Sequence, residues 1–322
     1  VRETAPRGLH RFAVLLACCV AVLIAAGALV KSKEAGLSVP DWPLSYGSLN
    51  PPRWWEISNV RAEHGHRLIA GTVALMTVGL AAGLQRREER RWVRRLGWGA
   101  VAAVLAQAVL GGLTVLFFLP PAISISHAAL AQLFLCLVVG LAVVTSRSWT
   151  APEAIDGALS RGLRGPASLL VALVYLQILL GAVMRHVGAG LAIPDFPLAF
   201  GALVPPRFDF AIGIHYAHRL GALAVTAAVV WIALRAARAP VPPRGLGVPV
   251  GALVALVCVQ VLLGGTVVWT GRAVFPNTLH VGVGAGLLAT SLVLALRARR
   301  GAGAVAARRA VDVGRGAAAA AS

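Results

Sequence analysis

Four of the eight histidines occupy matching places in two halves of the chain, His66 with His218 and His127 with His280. Neutral imidazole is a strong axial ligand, and two imidazoles from two helices of one bundle are what a six-coordinate porphyrin iron needs. Each of these histidines opens an apolar stretch, where an ionisable side chain is costly and faces a partner or a cofactor. One such histidine alone reads as a hydrogen-bonded core residue; two pairs in register favour ligation, one heme to each half. A carboxylate breaks the symmetry between the pairs. Glu63 stands three residues before His66, so both can share a helical face, whereas the second half carries His215 at that place. Beside a heme in a low-dielectric site a carboxylate can accept a proton or stabilise positive charge formed during oxidation. The first half is therefore expected to do the chemistry and the second to store or relay electrons. The plainer alternative for Glu63 is an acid favoured near a helix start by the helix dipole.

Around these residues lie weaker candidates. Arg67 and Arg219 directly follow their histidines. Two readings stand for them: cationic partners for heme propionates, or interfacial arginines that snorkel to the headgroups. Arg53, Arg207 and Arg185 could serve propionates as well. Gly111-Gly112 and Gly264-Gly265 permit close approach of a helix to a neighbour or to a porphyrin face, and helix packing alone explains them. Asp41 and Asp195, framed by proline and an aromatic, are expected to shape a loop turn over each bundle. His64, His215 and His186 fit either a heme edge or the membrane interface, and His10 precedes the first apolar run.

The elements that must position these groups are membrane helices. Hydrophobic residues make up 58% of the 322-residue chain and charged residues 13%, more apolar surface than a soluble fold of this size can hide. The net charge of +18 would suggest nucleic acid in a soluble chain. Here it is confined to gaps between apolar runs, which makes it a topology signal and excludes a nucleic-acid partner. A bilayer span needs about 20 apolar residues. Eight stretches qualify, near 12–30, 64–84, 97–118, 122–144, 167–185, 213–234, 246–269 and 277–296. Alternate gaps are rich in arginine, from Arg2, Arg7 and Arg11 through Arg86–Arg95, Arg147–Arg164 and Arg235–Arg244 to Arg297–Arg300. The other gaps hold few basic residues, so both termini are expected in the cytoplasm and the histidines near the outer face of the plasma membrane. The first run has the basic start and small residues of a signal peptide, but a second copy of the arrangement in mid-chain reads it as a retained span. The four cysteines lie inside apolar runs with no CxxC or CxxCH, which leaves no covalent c-type heme or zinc pattern.

An internal repeat organises the whole. Gly36-Leu37-Ser38-Val39-Pro40-Asp41-Trp42-Pro43-Leu44-Ser45-Tyr46-Gly47 recurs as Gly190-Leu191-Ala192-Ile193-Pro194-Asp195-Phe196-Pro197-Leu198-Ala199-Phe200-Gly201. Pro51-Pro52-Arg53 recurs as Pro205-Pro206-Arg207, and Gln107 aligns with Gln260. The expected fold is an all-α integral membrane protein, eight transmembrane helices in two pseudo-symmetric four-helix bundles related by an axis near the membrane normal. The expected divisions are a cytoplasmic N-terminus at 1–11, a catalytic half at 12–145, a cytoplasmic linker at 146–166, a cofactor half at 167–297, and a disordered Ala-, Gly- and Arg-rich tail at 298–322.

Glu63-x-x-His66-Arg67, His127, His218-Arg219 and His280, with the two GLxxPDxPLxxG loops, resemble the heme A synthase family over residues from about 12 to 297. The resemblance implies a membrane oxidase that converts heme O to heme A, turning the C8 methyl into a formyl group through a hydroxymethyl intermediate. It implies that His66 and His127 bind the substrate heme, that His218 and His280 ligate a heme b cofactor, and that Glu63 is required near the substrate methyl. Heme O synthase, which supplies the substrate, is the implied protein partner. Many bacterial members carry an outer-loop cysteine pair where Ser38, Val39, Ala192 and Ile193 stand here. A thiol relay is therefore not expected in this chain. Two competing classes are a di-heme electron-transfer cytochrome, against which Glu63 counts, and a transporter, which would place its polar groups nearer the bilayer midplane.

Overall fold

The computed structural model describes residues 7–150, 155, 157–240 and 244–320; Arg2, counted above with the basic N-terminal residues, lies outside them. The helices are α1 (Arg7–Ser32), α2 (Ser58–Arg87), α3 (Arg91–Leu116), α4 (Pro121–Val144), the short α5 (Arg147–Thr150), α6 (Gly157–His186), α7 (Phe210–Ala237), α8 (Gly247–Trp269) and α9 (Val274–Ala320). All except α5 are long and apolar enough to cross a bilayer, which gives an all-α membrane architecture of eight spans. Among the described residues the only β pairing is two isolated bridges, Ser45 with Ser48 and Ala199 with Ala202.

Most helices overrun the apolar stretch that defines them, because their polar ends still satisfy their backbone within the helix where the bilayer gives way to headgroups. Thus α6 starts at Gly157, inside the expected linker, and carries Pro166 near its first turns. Helix α9 runs on to Ala320, through the stretch whose composition suggested disorder. Alanine, the best helix former, is abundant there and proline is absent.

Helices α1 to α4 close a ring in which each packs on the next and α4 returns to α1, and α6 to α9 close the equivalent ring. The halves meet through α4 on α9, α1 on α9 and α4 on α6. Exchanging the halves turns α1–α9 into α6–α4 and leaves α4–α9 unchanged, so the pseudo-twofold axis passes between α4 and α9. Each half has its own apolar core. These cores begin at Val73 and Phe134 in the first half and at Val225 and Leu287 in the second, each seven residues beyond its histidine. The buried members of each half's own core on these helices thus begin two helical turns, about 10 Å, beyond the histidine. The arginine-rich segments gather at the core end of the molecule. The histidines share the opposite end with the long loops 33–57 and 187–209.

Candidate active site

All four paired histidines face a glycine on the helix that precedes theirs in the chain. A Cβ on Gly27 of α1 would lie 3.0 Å from Cε1 of His66, and one on Gly111 of α3 would lie 3.2 Å from Cε1 of His127. In the second half the distances are 2.9 Å for Gly181 of α6 to His218 and 3.2 Å for Gly264 of α8 to His280. Each imidazole is thus seated edge-on in a notch that a side chain would fill. On each notched helix a main-chain carbonyl one turn before the glycine approaches the ring, that of Leu23, Gln107, Gln177 and Gln260 in turn, and the Gln177 and Gln260 side-chain amides also reach His218 and His280. That approach falls short of a hydrogen bond for Nδ1 of His66, His127 and His280, each left buried without a partner.

The doubled glycines have two separate tasks. Gly111 and Gly264 make the notches, whereas Gly112 and Gly265 admit an aromatic from the long loops. A Cβ on Gly112 would enter the indole of Trp42, and one on Gly265 would lie 2.9 Å from Cδ1 of Phe196. Trp269 anchors the second loop further, its indole N–H donating to Phe196 O at 3.1 Å.

The loops are tied down alike in both halves. Asp41 accepts from the amides of Tyr46 (2.7 Å) and Gly47 (2.8 Å), and Asp195 accepts from Phe200 (2.7 Å) and Gly201 (2.8 Å). These bonds close turns whose residues Tyr46, Gly47, Phe200 and Gly201 all have positive φ. Arg67 reaches up from α2 and donates to Asp41 O (2.6 Å), Leu44 O (2.7 Å) and Val39 O (3.0 Å). Arg219 donates to Leu198 O (2.7 Å), Asp195 O (2.6 Å) and, weakly, Ile193 O (3.4 Å). In both halves the loop carbonyls turn inward and take the terminal N–H groups of the guanidinium.

Glu63 belongs to this clamp. It is 4% exposed; Oε1 pairs with Arg67 at 2.7 Å and Oε2 accepts from the amide of Val39 at 2.8 Å. In the second half Nδ1 of His215 accepts from the equivalent amide, Ile193, at 3.2 Å. His64 is buried beside Ser45, with Nδ1 2.8 Å from its hydroxyl and the ring edge-on to Trp54. Arg185 crosses between the halves to Ala28 O and Ser32 Oγ of α1, both at 2.8 Å. His186, the next residue, lies near Lys31, Arg185 and His127. Arg53 pairs with exposed Glu56, and Arg207 lies over the Phe200 ring. His10 sits at the core end against Ala142 O. Gly27 and Gly181 escaped the sequence reading, although their equal spacing from the repeated loops was a signal.

The sequence matches the cytochrome oxidase assembly protein family, COX15-CtaA, over residues 10–292. It is similar to a protein named heme A synthase from Symbiobacterium thermophilum, 31% identical over 65% of this chain and 70% of that one. A second heme A synthase, from Halalkalibacterium halodurans, is 28% identical over 85% of this chain and 91% of its own length. The chain belongs to the heme A synthase family.

Heme A synthase family membership invites the question whether these residues fit a heme, and three features do. The rings of His218 and His280 have centroids 6.4 Å apart. Two metal–imidazole bonds of about 2 Å plus two ring radii of about 1 Å sum to roughly 6 Å. The donor set is pairs: among the described residues no three His, Cys, Asp or Glu side chains converge on one point. A pair suits a metal that brings its own macrocycle. The buried, unpartnered ring nitrogens complete the fit.

Proposed function

We propose that this protein is a heme A synthase that oxidises the C8 methyl of heme O to a formyl group through a hydroxymethyl stage. His66 and His127 hold the substrate heme, and His218 and His280 hold a heme b cofactor. The observation that carries the reading is the matched pair of histidine sites that differ at Glu63 and His215. As a half-reaction with water as the formal oxygen donor the change is R–CH3 + H2O → R–CHO + 4 H+ + 4 e−, and an external electron acceptor takes the four electrons. Bound heme b supplies one-electron redox chemistry. His66 and His127 orient the substrate, and Glu63, one helical turn from His66, is the acid–base group of that half. Arg67 and the Val39 amide hold its carboxylate in place. The loop carrying Trp42, seated on Gly112, closes the site from the membrane surface.

The arginine-rich end faces the cytoplasm in this reading, with both termini there and both sites near the outer face of the plasma membrane. Heme O synthase is the partner that delivers the substrate. One observation favours a second reading, a di-heme electron-transfer cytochrome: His215 takes the same loop amide as Glu63, so loop geometry alone could account for the glutamate. One experiment separates the two. The protein is produced with a heme O supply and purified in detergent, and its hemes are extracted and identified by chromatography and mass. Heme A or its hydroxymethyl precursor alongside heme B is expected. Heme B alone, with heme O left unconverted, would establish the cytochrome.

A further inference from the structure

The two halves also differ beside His66 and His218, at positions the clamp does not use. In the second half Gln177 of α6 reaches α7: its side-chain N–H donates to His218 O at 2.7 Å, and the same nitrogen lies 3.1 Å from Nδ1 of the ring. Its Oε1 is buried without a partner and occupies the space where a Cβ on Gly221 would stand. Gly27 and Gly181 notch equivalent histidines, so Leu23, four residues before Gly27, is the counterpart of Gln177. Ile69, three residues after His66, is the counterpart of Gly221. Both Leu23 and Ile69 pack against the apolar core of the first half. Two positions have thus changed together, an apolar pair in one half and an amide with a glycine niche in the other.

We propose that Gln177, seated in the niche left by Gly221, is a positioning residue that locks His218 and makes the second pair a resident site. The Leu23–Ile69 pair leaves the first a site that exchanges its ligand. The amide donates to the His218 carbonyl and lies against the ring edge at Nδ1. A leucine can meet neither. A histidine held at both its carbonyl and its ring loses less freedom on ligation, which slows release. This rests on the heme reading and adds to it a physical reason why one heme stays while the other turns over.

The test uses the full chain with His66→Ala, so that only the second pair is loaded with heme B. Heme loss to excess apomyoglobin is followed by absorbance, and the ferric low-spin signal by electron paramagnetic resonance. Gln177→Leu is expected to lose heme about tenfold faster, the worth of a good hydrogen bond, and to shift the low-spin g-values. Gln177→Leu with Gly221→Ile rebuilds the apolar pair of the first half and should behave the same. Wild-type retention and g-values in that double variant would show that filled space, not the amide, sets retention, and would overturn the proposal. So would an unchanged Gln177→Leu. If the His66→Ala parent bound no heme at all, the heme reading itself would fall.

Discussion

The clamp over each bundle is built twice, and the two copies differ in the acceptor of one loop amide. In the first half the loop amide of Val39 is accepted by the carboxylate of Glu63, and in the second the amide of Ile193 is accepted by the imidazole of His215. The arginine, the loop carbonyls and the aspartate-closed turn are common to both. The fold therefore requires an acceptor at this place and does not require an acid. What the first half adds is a buried carboxylate paired to Arg67, one turn from His66.

The largest effects test whether the halves hold separate groups. His280→Ala is expected to remove one heme per chain and leave the other, read as heme-to-protein stoichiometry in the purified protein. His127→Ala should remove the other heme and spare the second site. Loss of both from either variant would mean the pairs are not independent. Next comes the role of the acid. Glu63→Ala removes one partner of a buried ion pair, and such losses cost about 3–5 kcal/mol. A dead Glu63→Ala enzyme therefore says little. Glu63→His borrows the solution used in the second half. It should keep the fold and both hemes and abolish formation of heme A. Conversion at more than a trace would make Glu63 a clamp residue only.

A smaller effect concerns the notches. Gly181→Ala puts a Cβ 2.9 Å from the His218 ring, and Gly27→Ala puts one 3.0 Å from His66. Overpacking of this kind costs about 1–3 kcal/mol. Each variant should weaken heme binding in its own half while thermal unfolding of the apoprotein shifts by only a few degrees. Equal weakening in both halves would argue that the notches set the packing of the whole bundle.

Much of this was legible beforehand, for definable reasons. Spans follow from twenty-residue hydropathy, and the repeat follows from aligned motifs, so the eight helices and the four histidines could be read without coordinates. The glycine pairs were visible, but not their division of labour. Gly111 serves His127 on α4, whereas Gly112 serves Trp42 on a loop far away in sequence. Arg67 and Arg219 show the same limit, because an arginine beside a paired histidine carries no record of which carbonyls the loop will turn towards it. Gln177 stayed hidden because its partner Gly221 lies on another helix, and the co-change emerges only once the repeats are superposed on contacts.

The smallest expected effect tests whether the two loops are equivalent. The Gly47 amide, with that of Tyr46, holds the Asp41 carboxyl below the usual aspartate range, and the Gly201 and Phe200 amides do the same for Asp195. Both folded values thus lie below the value in the unfolded chain, about 3.9. The turn-closing contribution is complete above that pH and is lost as the pH falls through the lowered folded value. Between pH 7 and 5 neither loop should change. Further acidification should speed hydrogen exchange at Tyr46 and Gly47, and at Phe200 and Gly201, over the same narrow range. Asp41→Asn should abolish the response in the first loop alone. A first loop that loosens at higher pH than the second would show that the clamp beneath it is not a copy, and would point to the titrating groups that differ there, Glu63 in place of His215 and His64 in place of Tyr216.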